Sequence, residues 1–248
     1  MIKRNIGVII QARTSSTRFP NKIIIPFDED TTFLDILLSR IKLLESKLPI
    51  ILATTTNKSD IVLENYAKKY NLPVFFGSEQ NVLERFLDSA KKFDLEYIVR
   101  VCSDNPFIDL NLISELLDVF DGEDYLAYEI DEKPSILTHS GFFSEIVSVK
   151  ALKKVYESNN LNCQEHVTNC IYTHPKDFVV KFINKEVSNS VRCTLDTEKD
   201  FNNLKFIYFN WYKKIKNKNF DYTELVKYLK SNKKLLQEMQ TEIINNIK

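Results

Sequence analysis

Arg13, Arg18 and Lys22 share one short polar stretch, Gln11 to Lys22, with the hydroxyls of Thr14, Ser15, Ser16 and Thr17. Guanidinium groups fork onto phosphate oxygens, and an ammonium adds a compact point charge. A loop so loaded is suited to hold a polyphosphate. It contains no glycine. It is therefore neither a P-loop nor a dinucleotide fingerprint, both of which bring backbone up to phosphate through glycines. The charge must come from side chains. The plainer alternative is a solvated basic loop. Two carboxylates stand out further along, Asp104 in Val99–Pro106 and Asp196 in Thr194–Asp200. Each follows a short apolar run, and at the end of the run before Asp104 a carboxylate is well placed to hold Mg²⁺ against phosphates. Each could equally start a turn or cap a helix.

The apolar runs explain the placement. Ile6–Ile10, Ile50–Ala53, Val74–Phe76 and Tyr97–Cys102 read as strands. Between them come helical spacings: Phe33–Glu45 with Thr31 or Thr32 as cap, Ser59 to about Tyr70, and Val82–Phe93. Leu110–Phe120 continues the pattern as a helix. Alternation of this kind predicts a mostly parallel sheet with helices on both faces, whose ligands gather at the carboxyl ends of the strands. In the second half, Asp124–Glu129, Ser144–Val149, Phe178–Ile183 and Val191–Thr194 read as strands. Ala151–Glu157 and Glu165–Thr173 read as helices. From Glu198 the chain turns helical, and Leu235, Leu236, Met239, Ile243 and Ile247 form one apolar stripe, a packing face. The expected division is residues 1–205 as the main domain and 206–248 as a helical extension packed on it or on a partner.

Composition sets the outer limits. The 248 residues carry 34 Lys plus Arg against 34 Asp plus Glu. A zero net charge gives no global pull toward nucleic acid or an anionic membrane. The cluster Lys213, Lys214, Lys216 and Lys218 reads as a solvated helix face rather than a nucleic-acid patch. The longest apolar runs fall short of a membrane span, and that after Arg4 is too short for a signal peptide. A cytoplasmic location is the default expectation, with Cys102, Cys163, Cys170 and Cys193 as reduced thiols. The spacing Cys163, His166, Cys170, His174 hints at a metal, but a single helix would set these side chains in a line that cannot wrap a tetrahedral ion.

Five ordered motifs carry a resemblance. Gln11-Ala12-Arg13 followed by Ser16-Thr17-Arg18-Phe19-Pro20-Asn21-Lys22 resembles the Q-A-R … S-T-R-L-P-G-K signature of the nucleotide-sugar cytidylyltransferases. The nearest branch is the one named for spore-coat polysaccharide biosynthesis protein F, related to the synthetases that activate Kdo and sialic acids with CMP. Phe19 and Asn21 replace Leu and Gly, and Asn tolerates the same left-handed turn. Gly77-Ser78-Glu79 with Val82, Leu83 and Arg85 is similar to G-S-E-x-x-V-L-x-R. Arg100, Asp104 and Pro106 match R-I-T-G-D-C-P, with Ser103 for Gly. Glu165-His166-Val167-Thr168 matches R-E-H-V-T, with Gln164 where the family carries Arg. Asp196-Thr197 and Asp200 match D-T-P-E-D.

The resemblance spans Ile6 to Asp200 and implies a Rossmann-like three-layer α/β/α fold of the nucleotide-diphospho-sugar transferase type. It implies transfer of CMP from CTP to a sugar acid or sugar-phosphate-like acceptor, with pyrophosphate released, in surface polysaccharide or glycan biosynthesis. Gln11, Ala12, Arg13, Arg18, Lys22, Ser78, Val82, Arg85, Arg100 and Asp104 would contact the nucleotide. Glu165 and His166 would face the acceptor. Asp104 and Asp196 would share Mg²⁺, with Arg13 and Lys22 acting in catalysis. Relatives often form homodimers. Two rivals remain open: a glycosyltransferase consuming a nucleotide-sugar, for which Glu129-Ile130-Asp131 is the nearest approach to D-x-D, and a nucleotide-binding assembly protein without turnover.

Overall fold

A computed structural model describes residues 4–158, 163 and 166–246. Its strands are β1 (Ile6–Gln11), β2 (Ile50–Thr55), β3 (Val74–Gly77), β4 (Tyr97–Cys102), β5 (Tyr125–Ile130), β6 (Lys133–Pro134), β7 (Glu145–Ser148) and β8 (Val180–Asn184). They form one sheet in the order β3-β2-β1-β4-β7-β5-β6, with β8 also paired to β5. The β3-β2-β1-β4 half is parallel throughout. β7 runs antiparallel to both β4 and β5, so the sheet is mixed on that side.

Alternation along β1 explains the layering. Val8 and Ile10 enter one core while Ile9 enters the other. On the Val8 face lie α1 (Phe33–Ile41), α2 (Val62–Lys69) and α4 (Leu110–Val119). The same core takes α7 (Glu198–Ile207), a π-helical turn Tyr208–Tyr212, α8 (Tyr222–Ser231) and α9 (Lys233–Asn245). On the Ile9 face lie α3 (Val82–Lys92), α5 (Val149–Glu157) and the single turn α6 (Asn169–Tyr172). Thr32 caps α1 through a reciprocal pair with Asp35, as its sequence position suggested.

The chain winds outward from β1 through β2 to β3, then crosses back to lay β4 on the other side of β1. The carboxyl ends of β1 and β4 are thus the topological switch point, where open sheets leave a crevice for ligands. Gln11 and Cys102 are paired at that edge.

Several expectations need correction. Val191–Thr194 forms no strand. The backbone bonds here go to two separate loops, from Cys193 N to the His139 carbonyl and from the following Leu195 N to the Asp104 carbonyl, so no ladder forms. The helix expected over Glu165–Thr173 is helical only at Asn169–Tyr172, after a turn at His166–Thr168; Gln164 and Glu165 lie outside the described residues. That turn brings Cys163 and Cys170 to a Cα separation of 5.7 Å, and they form a disulfide rather than two free thiols. Cys102 and Cys193 are free, as expected. The four lysines at 213–218 follow the π-helical turn on an irregular bend, not a helix face. Lys213 pairs with Asp28, and Lys218 donates to the carbonyls of Tyr212 and Ile215. On the apolar stripe, Leu235 and Met239 are buried and Ile243 half-buried, while Ile247 lies outside the described residues.

Candidate active site

The loop after β1 keeps its shape through a buried carboxylate. Thr14 donates to Asp60 Oδ1 from both its amide, at 2.7 Å, and its hydroxyl, at 2.6 Å. Thr55 Oγ1 holds Asp60 Oδ2. Asp60 therefore ties the loop to the end of β2. Ser15 adds a bond to Glu79, just beyond the end of β3. Asn21 sits at φ 59°, the left-handed conformation expected of it in place of glycine. The turn it makes delivers Lys22 inward, where the residue is 9% exposed.

Lys22 is the hinge of the site. Its Nζ lies 3.1 Å from Asp196 Oδ1 and 3.7 Å from Asp104 Oδ2. Arg18 Nη2 also lies 3.1 Å from Asp196 Oδ1. Lys22 and Asp196, 174 positions apart, thus meet at the switch point with Arg18 and Asp104. Neither carboxylate is a helix cap. The cap of α4 is Asp109, and that of α7 is Thr197, paired reciprocally with Asp200. Asp196 is braced from behind by Arg192, whose side chain is fully buried. Arg192 forks onto Asp200 with bonds of 2.6 and 2.7 Å and places Nη2 3.5 Å from Asp196 Oδ2. Asp200 in turn accepts the amides of Asp196 and Thr197. The outer oxygen of Asp196 is left facing Arg18 and Lys22.

A cavity of about 580 Å³ opens beside these groups. Gln11, Arg13, Arg18, Arg100, Asp104, Asp196 and Val82 line it. Ser135–Thr138, Ser140, Gly141 and Phe143, with His166, Thr168, Asn169 and Tyr172, line it as well. A smaller recess of about 270 Å³ continues it among Arg13, Ser16, Thr17, Arg18, Lys22, Ser103, Asp104 and Asp196. Arg13 faces both spaces. Gly141, at φ 72°, lets the 135–143 segment cross Cys193: a β-carbon there would fall 2.6 Å from the Cys193 carbonyl oxygen.

Arg100 crosses the cavity floor. Its Nη1 is 2.8 Å from Glu145 Oε1, and Glu145 also accepts from Tyr125 and Thr168. Burial opposes the Arg100 charge, but Cys102 and Glu145 more than offset it, so the guanidinium is held charged more firmly than usual. The remaining sequence candidates divide. Ala12 is buried and extends the sheet bonding to Ala53. Ser78 braces the turn before α3 through the Asn81 amide. Arg85 is fully buried, donates to the Ser78 carbonyl and lines neither space. Burial, with Arg13 nearby, lowers its pKa to about 10. Glu165 lies outside the described residues.

Sequence reading missed Asp60, Glu145, Arg192 and the 135–143 wall. Arg192 had one local signal, its place four residues before Asp196. Among the described residues, no three metal-binding side chains cluster, and this includes the Cys163–His174 spacing.

A cationic loop and two carboxylates at the switch point of such a sheet are the build of an enzyme that works on a nucleotide's phosphates. The chain belongs to the cytidylyltransferase family, whose model matches residues 7–238. It is 33% identical over 230 residues to an uncharacterised protein of Methanocaldococcus jannaschii, covering 90% of each chain. It is 32% identical over 216 residues to the spore coat polysaccharide biosynthesis protein SpsF of Bacillus subtilis, covering 82% of this chain and 86% of that one. A cytidylyltransferase from Leptospira borgpetersenii has a similar structure, with a TM-score of 0.84 at 29% identity over 94% of this chain and 97% of that one. Among the described residues, no helix is long and apolar enough to cross a membrane.

Proposed function

We propose that this chain transfers CMP from CTP to an oxygen of a sugar-like acceptor and releases pyrophosphate, in the assembly of a surface polysaccharide or glycan. The carrying observation is the convergence of Lys22 on Asp104 and Asp196 beside Arg13 and Arg18. The name of the Bacillus subtilis relative supports the polysaccharide setting. Glu129-Ile130-Asp131 favours no glycosyltransferase. Asp131 is bonded by Asn189 at the β5–β6 turn and lines neither space.

In this reading the triphosphate lies along the loop after β1. Arg13, Arg18 and Lys22 offset the charge that builds on the β- and γ-phosphates as the bond to the α-phosphorus breaks. Arg192 and Asp200 hold Asp196 so that its outer oxygen needs no reorganisation. Two hard oxygen donors converge where the Lys22 ammonium is already accommodated, a donor set that suits Mg²⁺ completed by phosphate oxygens and water. Asp104 and Asp196 would hold that ion, which when bound polarises phosphoryl oxygen as a Lewis acid.

Thermal unfolding with Mg²⁺ and each of CTP, UTP, ATP and GTP tests the reading. A ligand at about 100 times its Kd adds ~2.7 kcal/mol of stability, so CTP alone should raise the transition. Equal shifts with all four, or none with CTP, would count against the cytidylyl assignment.

A further inference from the structure

Of the chain's three histidines, His166 and His174 are exposed and His139 is buried. Its neighbours Thr138 and Ser140 line the cavity, yet His139 lines neither the cavity nor the recess. Its ring meets Arg192, whose Nη1 donates to His139 Nδ1. A guanidinium has only donors, so Nδ1 is the acceptor and the ring proton lies on Nε2. The backbone beneath this contact is itself fastened. Cys193 N donates to the His139 carbonyl at 2.9 Å, and Gly141 lies so close to Cys193 that a β-carbon would clash with its carbonyl.

Arg192 needs that acceptor to stay in place. Its Nε and Nη2 fork onto Asp200 at 2.6 and 2.7 Å, and Nη2 also lies 3.5 Å from Asp196 Oδ2. The fork occupies one edge of a planar group and leaves Nη1 on the far side. A plate held at one edge can tilt about it, and a bond to Nη1 stops the tilt. The Arg192 side chain is fully buried. A donor left unpaired there carries its full desolvation cost, so the guanidinium would shift to recover a partner. Any such shift moves Nη2 relative to Asp196.

We infer that His139 is a positioning residue for CMP transfer: by fixing Arg192 it sets the Asp196 carboxylate for Mg²⁺. This rests on the transfer reading and on the place of Asp196 in it. His139 touches neither space, so its effect passes through Arg192 alone, and the acceptor atom is what matters. Leucine fills similar room but offers Nη1 nothing. Asparagine carries an amide oxygen on the same γ branch as Nδ1 and keeps an acceptor there.

The test is calorimetric titration of the full chain with CTP, once with Mg²⁺ and once with EDTA in its place. It compares the native chain, His139→Leu and His139→Asn, each first checked for folding by circular dichroism. The gain in CTP affinity that Mg²⁺ confers should fall about tenfold or more in His139→Leu, the scale on which losing a partner that orients a metal ligand weakens the site. Binding in EDTA should be unchanged, and His139→Asn should restore most of the gain. Should the leucine variant not fold, His139→Gln carries the same expectation, because its amide oxygen stands one bond beyond the Nδ1 position. An equal loss with and without Mg²⁺ would make His139 a packing residue and overturn the inference. So would a native-like His139→Leu, or a His139→Asn no better than the leucine variant. No gain from Mg²⁺ in the native chain, with CTP still bound, would overturn the metal assignment and this inference while leaving nucleotide binding standing. No CTP binding by the folded native chain would overturn the transfer reading itself.

Discussion

Asp196 shows how much a single side chain can concentrate. It accepts from Lys22 and pairs with Arg18 on one oxygen, and lies 3.5 Å from buried Arg192 on the other. Four charges within bonding reach are stable only if each has its place, and the nucleotide reading gives them one. Removing the carboxylate charge at 196 or 104 should therefore remove function while sparing the fold. Asp104→Asn and Asp196→Asn are each expected to cut pyrophosphate release by about 10³ or more, the scale of losing a preorganised electrostatic group. Their circular dichroism should match the native chain. Near-native turnover in both would sink the role given to the pair. The sequence drew attention to those two aspartates and the three cations because each follows a short apolar run or lies in the loop after it, and the structure brings them together, although the run before Asp196 is no strand. Asp60, Glu145 and Arg192 were not legible. Asp60 acts on Thr14, 46 positions away, and Glu145 on Arg100, 45 away, and no local pattern encodes such partners.

At the level of elements, the sequence displayed the strand–helix alternation and therefore the switch point. It misread Val191–Thr194, because an apolar run looks the same whether its amides enter a ladder or bond to loops, as these do. It also passed over the 135–143 segment, whose role depends on Gly141 crossing Cys193. Element junctions carry their own electrostatics. Asp109 caps α4 through the Asn111 amide and also accepts the Tyr222 amide at the start of α8, fully shielded from solvent. Burial raises its pKa above the ordinary 3.8, against those two bonds. The folded state then holds this proton more tightly than the unfolded state does. Its contribution to stability falls as pH rises from 3.8 through the raised value and is level above it. Asp109→Asn cannot titrate. The native chain's urea midpoint, relative to that variant's, should be higher at about pH 4 than at about pH 7. A native advantage that grew with pH would contradict the sign.

The molecule as a whole raises the question of whether residues 206–248 are an appendage or part of one cooperative unit. The contacts argue for one unit. A single apolar core contains Val8 and Ile10 of β1 together with Phe220, Leu225, Leu229 and Met239. Arg40 of α1 is fully buried, donates to the carbonyls of Ile108 and Lys218, and lies 3.9 Å over the Phe220 ring. Glu242 of α9 accepts from the Thr197 hydroxyl, one residue from Asp196, and pairs with Lys199. The C-terminal helices thus buttress the element that carries a site carboxylate. Nature supplies a reporter: the chain's one tryptophan, Trp211, lies in this segment, against Phe220 and Tyr228. Its fluorescence follows the C-terminal part, while far-ultraviolet circular dichroism is weighted toward the sheet and its flanking helices. If the chain unfolds as one unit, the two denaturant transitions coincide in midpoint and slope. A tryptophan transition that precedes the circular dichroism would mark residues 206–248 as a separate layer. In that case Met239→Ala, which empties a fully buried site at a cost of ~2–5 kcal/mol, would shift the tryptophan transition alone. In the one-unit molecule it moves both transitions together.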